Sequence, residues 1–198
     1  MKNSYTTTLN TRPFLYQETR QVVELLIKGM TKEEVLTTVL EDNLFLLKSE
    51  DRIKTFANEI LKRVSQLDPF LQQAFLESDS QTAKAILLYA ILKKDRLFYE
   101  WMREVVRDKF LVLDPILTKK ETILFLDRKG EQSEKVRNWT DATKSRLSNA
   151  YHQAIEDAGL LQRSNNEERL HHLMIAPNVL TYLKAEKEQH IIDVLLGE

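Results

Sequence analysis

The sequence predicts an all-α protein in two units. A helical bundle is expected over residues 1–113, followed over 114–198 by a winged-helix-like unit that contains a short β-hairpin. Three observations carry this. Only four glycines occur in 198 residues, and Gly29, Gly130, Gly159 and Gly197 fall where helices are expected to end. Two Thr-x-x-Glu boxes, Thr31 to Glu34 and Thr118 to Glu121, can each satisfy two orphan amides at a helix start. Between Thr140 and Pro177 a polar-faced helix, a glycine stop, two short strands around a polar tip and a return to helix follow in order.

Taken from the N-terminus, Pro13 suits the first turn of a helix running through Lys28. The Thr31 box opens a second helix to about Asp42. A third carries Ile53, Phe56, Ala57, Ile60, Leu61, Val64 and Leu67, a two-row stripe that describes one buried face. Asp68 and Pro69 restart the chain as cap and first helical residue. The stretch Ala85 to Leu92 is apolar nearly all round, which makes it the central helix of the bundle. The next helix sets Leu97, Phe98, Trp101, Met102, Val105, Val106 and Phe110 on one side and Arg96, Glu100, Arg103 and Arg107 on another. Asp114-Pro115 then marks the boundary between the units.

The Thr118 box opens a helix through about Lys129, and Glu131 to Trp139 can form another before Thr140 caps the long helix Asp141 to Ala158. Leu147, Tyr151, Ala154, Ile155 and Ala158 of that helix recur at core spacing. Gly159 stops it, since only glycine enters the left-handed C-cap without a Cβ penalty. Leu160 to Arg163 and Leu170 to Ile175 are expected as strands, with Ser-Asn-Asn-Glu-Glu between them as the turn. Asn178 to Leu196 should fold back as helix on the core.

Composition narrows the function. Hydrophobic residues make up 42% of the chain, enough for a core. The 29 Lys and Arg nearly balance 30 Asp and Glu, so any nucleic-acid surface must be local rather than a whole-molecule field. Without cysteine there are no disulfides, thiolate metal sites or thiol nucleophiles, which fits a reducing cytoplasm. Met1 to Arg12 carries no apolar targeting core, and no stretch approaches the roughly 18 apolar residues of a membrane span.

The long C-terminal helix is the expected recognition element. If its first half enters a major groove, Lys144 and Arg146 reach phosphate or guanine and Asn149 reaches a base edge. Arg163 and Arg169 flank the hairpin tip and could straddle a phosphate, although Glu167 and Glu168 at that tip repel a duplex. Residues 119–146 hold eight basic residues against five acidic ones. The competing reading is a unit that packs on the bundle and shows a solvated face.

Other chemical signals read blandly. The row Arg96, Arg103 and Arg107 should pair with Glu100, Glu104 and Asp108, and Lys62 and Arg63 should complement a helix dipole. Trp101 belongs to its helix's core stripe, and Trp139 staples the start of the long helix. His171 and His172 sit side by side in an expected strand and point to opposite faces, while His152 and His190 lack partners at ligand spacing, so no metal site is implied. No phosphate loop, serine elbow or isolated carboxylate pair is present. No enzyme, cofactor or small-molecule substrate is implied.

Several stretches together resemble the BrxA family, the small non-enzymatic components of bacteriophage exclusion (BREX) defence systems. They are Thr8 to Leu26 with Glu18-Thr-Arg20, Glu41-Asp-Asn43-Leu44, Arg63-Val-Ser-Gln-Leu67, Leu87 to Leu111 with Trp101 and Arg107-Asp-Lys-Phe110, and Ala158-Gly-Leu-Leu161. The resemblance covers most of the chain through order and spacing. It implies a bundle similar to that of the antitermination factor NusB, and a cytoplasmic bacterial protein that binds double-stranded DNA beside larger BREX subunits. An RNA-binding factor with the same bundle, and a protein scaffold that binds no nucleic acid, remain the alternatives.

Overall fold

The computed structural model describes residues 4–165, 167–186 and 188–198. The expectations placed on Met1 to Asn3, on Asn166 at the hairpin tip and on Lys187 in the tail lie outside them. The chain is helical throughout apart from one small sheet. Helices α1 (Tyr16–Ile27), α2 (Lys32–Glu41), α3 (Glu50–Val64), α4 (Pro69–Glu77) and α5 (Ser80–Lys94) form the N-terminal bundle. A long helix follows as α6 (Arg96–Trp101), a π-helical segment Met102–Val106, and α7 (Arg107–Leu111). Then come β1 (Ile116–Leu117), α8 (Lys119–Gln132), α9 (Glu134–Arg137), α10 (Asp141–Asp157), β2 (Leu161–Ser164), β3 (Glu167–Leu170), α11 (Pro177–Ala185) and α12 (Gln189–Leu196).

The helix starts are those the sequence announces. Thr31 and Thr118 each form the full reciprocal box with Glu34 and Glu121. Asp68 caps α4 ahead of Pro69, and Thr140 caps α10 by accepting from the Thr143 amide at 3.1 Å. Gly159, with φ +87°, ends α10: its amide donates to Glu156 and the Leu160 amide to Ile155, so two orphan carbonyls are satisfied. The central helix α5 is buried from Ala85 to Leu92, and α12 folds back onto it.

Five expectations change. Pro13 precedes α1 rather than opening it. The carbonyls of Arg12, Pro13 and Phe14 are held by Arg63, and Leu15 at the cap adopts φ +57°. Gly130 lies inside α8, where a Cβ would meet the Arg137 backbone at 3.4 Å, so it serves the close approach of α9. The second hairpin strand is Glu167–Leu170, not Leu170 to Ile175, because Leu170 pairs with Leu161 and Glu167 with Ser164, which shortens the turn. The tail forms two helices. Finally β1, too short for any period to reveal, pairs antiparallel with β3, giving strand order β1-β3-β2.

One hydrophobic cluster runs from Leu9 through the bundle to Leu195 and takes in α8, α10 and the hairpin. At its centre Trp101 and Phe98 of α6 pack on Tyr151 of α10, with ring centroids 5.1 and 4.9 Å away. Trp101 is therefore core, as its stripe predicts, and Trp139 packs half-buried on the same cluster. Among the described residues no helix is long and apolar enough to cross a membrane.

Candidate nucleic-acid interface

Helix α10 shows solvent a stripe formed by Ala142, Ser145, Arg146, Asn149 and Gln153, while Leu147, Ser148, Tyr151, His152, Ala154 and Ile155 face the core. Arg146 and Asn149 are one turn apart on this stripe, and no described residue accepts from or donates to either side chain. Lys144 points elsewhere. Its ammonium lies 2.7 Å from Asp127 of α8 and its side chain is only 14% exposed, so it ties α8 to α10.

The hairpin separates the two arginines expected to act together. Leu161, Arg163, Glu168 and Leu170 share the face turned to α10, whereas Gln162 and Arg169 occupy the other. Arg163 donates to Glu168 at 2.9 Å and to Gln153 at 3.0 Å, and also pairs with Glu156. Its Nε and Nη1 are engaged in these bonds, which tie the hairpin to α10. Arg169 is exposed on the outer face, paired in register with Ile116 and Gln162. Of the five expected contact residues, Arg146, Asn149 and Arg169 are exposed without a side-chain partner among the described residues, whereas Lys144 and Arg163 are ion-paired to neighbouring elements.

The repulsion expected from the acidic tip is also reduced, because Glu168 is turned inward. His152 is fully buried and its Nδ1 bonds the Glu168 carboxylate, while its Nε2 lies 2.7 Å from Thr122 Oγ1. A carboxylate only accepts, so Nδ1 carries the proton and Nε2 accepts from the Thr122 hydroxyl. That oxygen in turn accepts from Trp101 Nε1–H at 3.1 Å. Burial pushes His152 below the usual histidine value against the pull of Glu168. Burial opposes the charge on Glu168 too, but Arg163 and His152 outweigh it and its carboxyl sits low. A hydroxyl, an imidazole and a carboxylate in series is an arrangement used for nucleophilic catalysis. Here Thr122 and His152 have no exposure, so no substrate reaches them. The relay pins the hairpin to α8 and the long helix.

Facing the α10 stripe is a groove of about 860 Å³ whose far wall is the N-terminal segment around Asn10 and the α3 residues Arg52, Thr55 and Phe56. Sequence reading missed this wall, and it missed Arg63. Instead of merely complementing a helix dipole, Arg63 is 1% exposed. It donates to Glu59 at 3.1 Å and to three carbonyls of residues 12–14, fixing the N-terminal segment against α3.

The arginine row on the long helix pairs much as expected. Arg96 meets Glu100 at 2.7 Å and Arg103 meets Glu104 at 3.0 Å, although Arg107 turns to the Glu198 carbonyl. Glu100 is buried rather than wet, bonded by Lys129 and by the Tyr5 hydroxyl. His171 and His172 lie beyond β3, and His172 bonds the Leu196 carbonyl. Among the described residues no three His, Asp or Glu side chains gather as metal ligands would.

The family model for BrxA matches residues 3–187. A BREX protein BrxA of Bacillus cereus (strain H3081.97) is 34% identical over 194 residues, covering 98% of this chain and 97% of that protein. A second, from Paramagnetospirillum magneticum (strain AMB-1), is 24% identical over 175 residues, covering 88% and 87%. The crystal structure of an uncharacterized protein from Magnetospirillum magneticum superposes with a TM-score of 0.84 at 22% identity, covering 99% of this chain and all of that one.

Proposed function

This chain belongs to the BrxA family, and from that premise we propose that it is a non-enzymatic, cytoplasmic accessory protein of a BREX phage-defence system that binds double-stranded DNA alongside other BREX subunits. The observation that carries the DNA reading is the α10 stripe, where Arg146 and Asn149 stand exposed and unpaired on a helix whose opposite face is locked into the core. The element order around it supports a winged helix: a helix, β1, α8, the short α9, α10, β2 and β3, with the sheet ordered β1-β3-β2. In this reading the first helix is the long one from Arg96 to Leu111, which also belongs to the NusB-like bundle. The division after residue 113 is then a change of architecture within one core. Arg146 and Asn149 meet base edges or phosphates, Arg169 meets the flanking backbone, and Lys144 and Arg163 position the helix and wing.

Fluorescence anisotropy with labelled duplex, in competition with single-stranded DNA and RNA, tests this. Arg146→Glu should weaken duplex binding by about 1–3 kcal/mol with an unchanged melting temperature. Preference for RNA would support the RNA-binding alternative. A scaffold role has its own supporting observation. Leu111, Val112 and Leu113 are 53%, 70% and 89% exposed, and Leu124 is 50% exposed, leaving apolar surface at the end of α7 and on α8. Wild-type protein that ignores all nucleic acids would favour that reading.

A further inference from the structure

A second concave surface lies beside the α10 groove. The N-terminal segment, α3 and the start of α6 enclose a cleft of about 800 Å³ lined by Arg12, Lys54, Lys62, Lys94 and Arg96. Two acids share the lining, Glu59 and Asp95, and both are already engaged. Glu59 receives Arg63 at 3.1 Å and Lys94 at 2.8 Å. Asp95 caps α6 through the Phe98 amide and accepts from the Thr6 hydroxyl. Its burial also pushes its carboxyl above the usual value, against the hydrogen bond from the Phe98 amide and the charge of Lys94. Buried Arg63 adds a further positive charge behind the floor.

Lys54 and Lys62 are exposed, and neither meets a carboxylate among the described residues. They stand eight residues apart on α3, roughly 12 Å along the helix axis at 1.5 Å per residue. Among the described residues the Arg12 side chain donates only to the Thr11 hydroxyl. With Lys94 paired to Glu59 and Arg96 to Glu100, Arg12, Lys54 and Lys62 are the three lining cations without a carboxylate partner among the described residues, a local excess in a protein whose net charge is −1. Of the threonine hydroxyls in the lining, Thr6 already donates to Asp95 and Thr8 to Thr6, which leaves Thr55 as a neutral donor of the kind that bonds phosphate oxygens.

The cleft borders the groove at α10, since Thr55 lines both and the N-terminal segment walls both. We infer that this cleft binds phosphate groups supplied by a polynucleotide backbone, so that a nucleic acid touching α10 runs on across α3. The identity of the ligand rests on the DNA reading above; the cationic cleft does not. The backbone of duplex DNA carries one phosphate per ~3.4 Å of axis on each strand, so a span set by Lys54 and Lys62 is filled by several charges.

The experiment compares wild type, Lys54→Glu/Lys62→Glu and Arg146→Glu, titrated against a labelled duplex from low to physiological salt, with circular dichroism to verify folding. Each lysine in contact with phosphate contributes a slope of about −0.9 in log K against log salt. The double variant should therefore bind at least tenfold more weakly at low salt, with a slope shallower by about two, and melt as wild type does. Retention of wild-type affinity and slope by the double variant overturns the cleft proposal and leaves the α10 reading standing. Loss in the double variant with none in Arg146→Glu supports the cleft and removes α10. If wild type binds no duplex the DNA reading fails. Thermal stabilisation by ATP that is absent in the double variant would then assign the cleft to a free nucleotide and overturn the polynucleotide, and no stabilisation would overturn the site altogether.

Discussion

Individual buried polar residues do more to set this fold than their number suggests. Arg63 bonds three carbonyls and Glu59 with almost no exposure, so truncation leaves the three carbonyls without this donor and buried Glu59 with Lys94 alone. Arg63→Ala should cost about 3–5 kcal/mol, read as a lower urea midpoint. Thr122→Val removes the hydroxyl joining Trp101 to His152 and should cost about 1–3 kcal/mol. Tyr151→Phe should be neutral or slightly stabilising, because the Tyr151 hydroxyl is buried with no hydrogen-bond partner among the described residues. His152 sets a pH dependence. Its folded pKa lies below its unfolded value near ~6.5, so the unfolded chain takes up more protons as pH falls below that value. Stability is full above ~6.5 and declines as pH drops toward the folded value. Urea midpoints should fall between pH 7.5 and 5.5, and His152→Gln should flatten the decline. A midpoint that rises on acidification would contradict this account. Apart from Glu59, four positions from Arg63, these partners lie 16 to 51 positions away, so in the sequence Arg63 is a cation near a helix end and His152 a lone histidine.

At the level of elements, legibility followed the range of the forces involved. Caps and stops are local chemistry, so Thr31, Asp68, Thr118, Thr140 and Gly159 all mark the boundaries the structure has. Gly159 tests the point. A side chain there meets nothing within 4 Å, but φ +87° strains any L-residue, so Gly159→Ala should lower stability by roughly 1 kcal/mol without changing the fold. Strands depend on partners. The apolar run Leu170 to Ile175 reads as a strand in isolation, yet cross-strand pairing of Leu161 with Leu170 and Arg163 with Glu168 places β3 earlier. With two residues, β1 has no readable period and exists because β3 offers it an edge. The π-helical segment was equally invisible, as its residues carry the ordinary spacing of a buried helical face.

Across the whole molecule, bundle and C-terminal unit share one core, and this decides what the surface can do. The polar stripe of α10 is legible at helical spacing, and Arg146 and Asn149 are exposed on it. Sequence could not show that Lys144 and Arg163 are consumed by Asp127, Glu156 and Glu168, nor that α3 walls a groove beside α10. Local charge counting treats every cation as available, whereas packing spends some on holding helices together. The central claim is that the α10 stripe meets duplex DNA, and the absence of cysteine allows a direct measurement of it. Single-cysteine variants Asn149→Cys and Gln73→Cys, the latter on exposed α4, would each carry a photo-crosslinker and be irradiated with labelled duplex. The account predicts crosslinked DNA from position 149 and little from position 73. Equal yields from both, or crosslinking from position 73 alone, would contradict it.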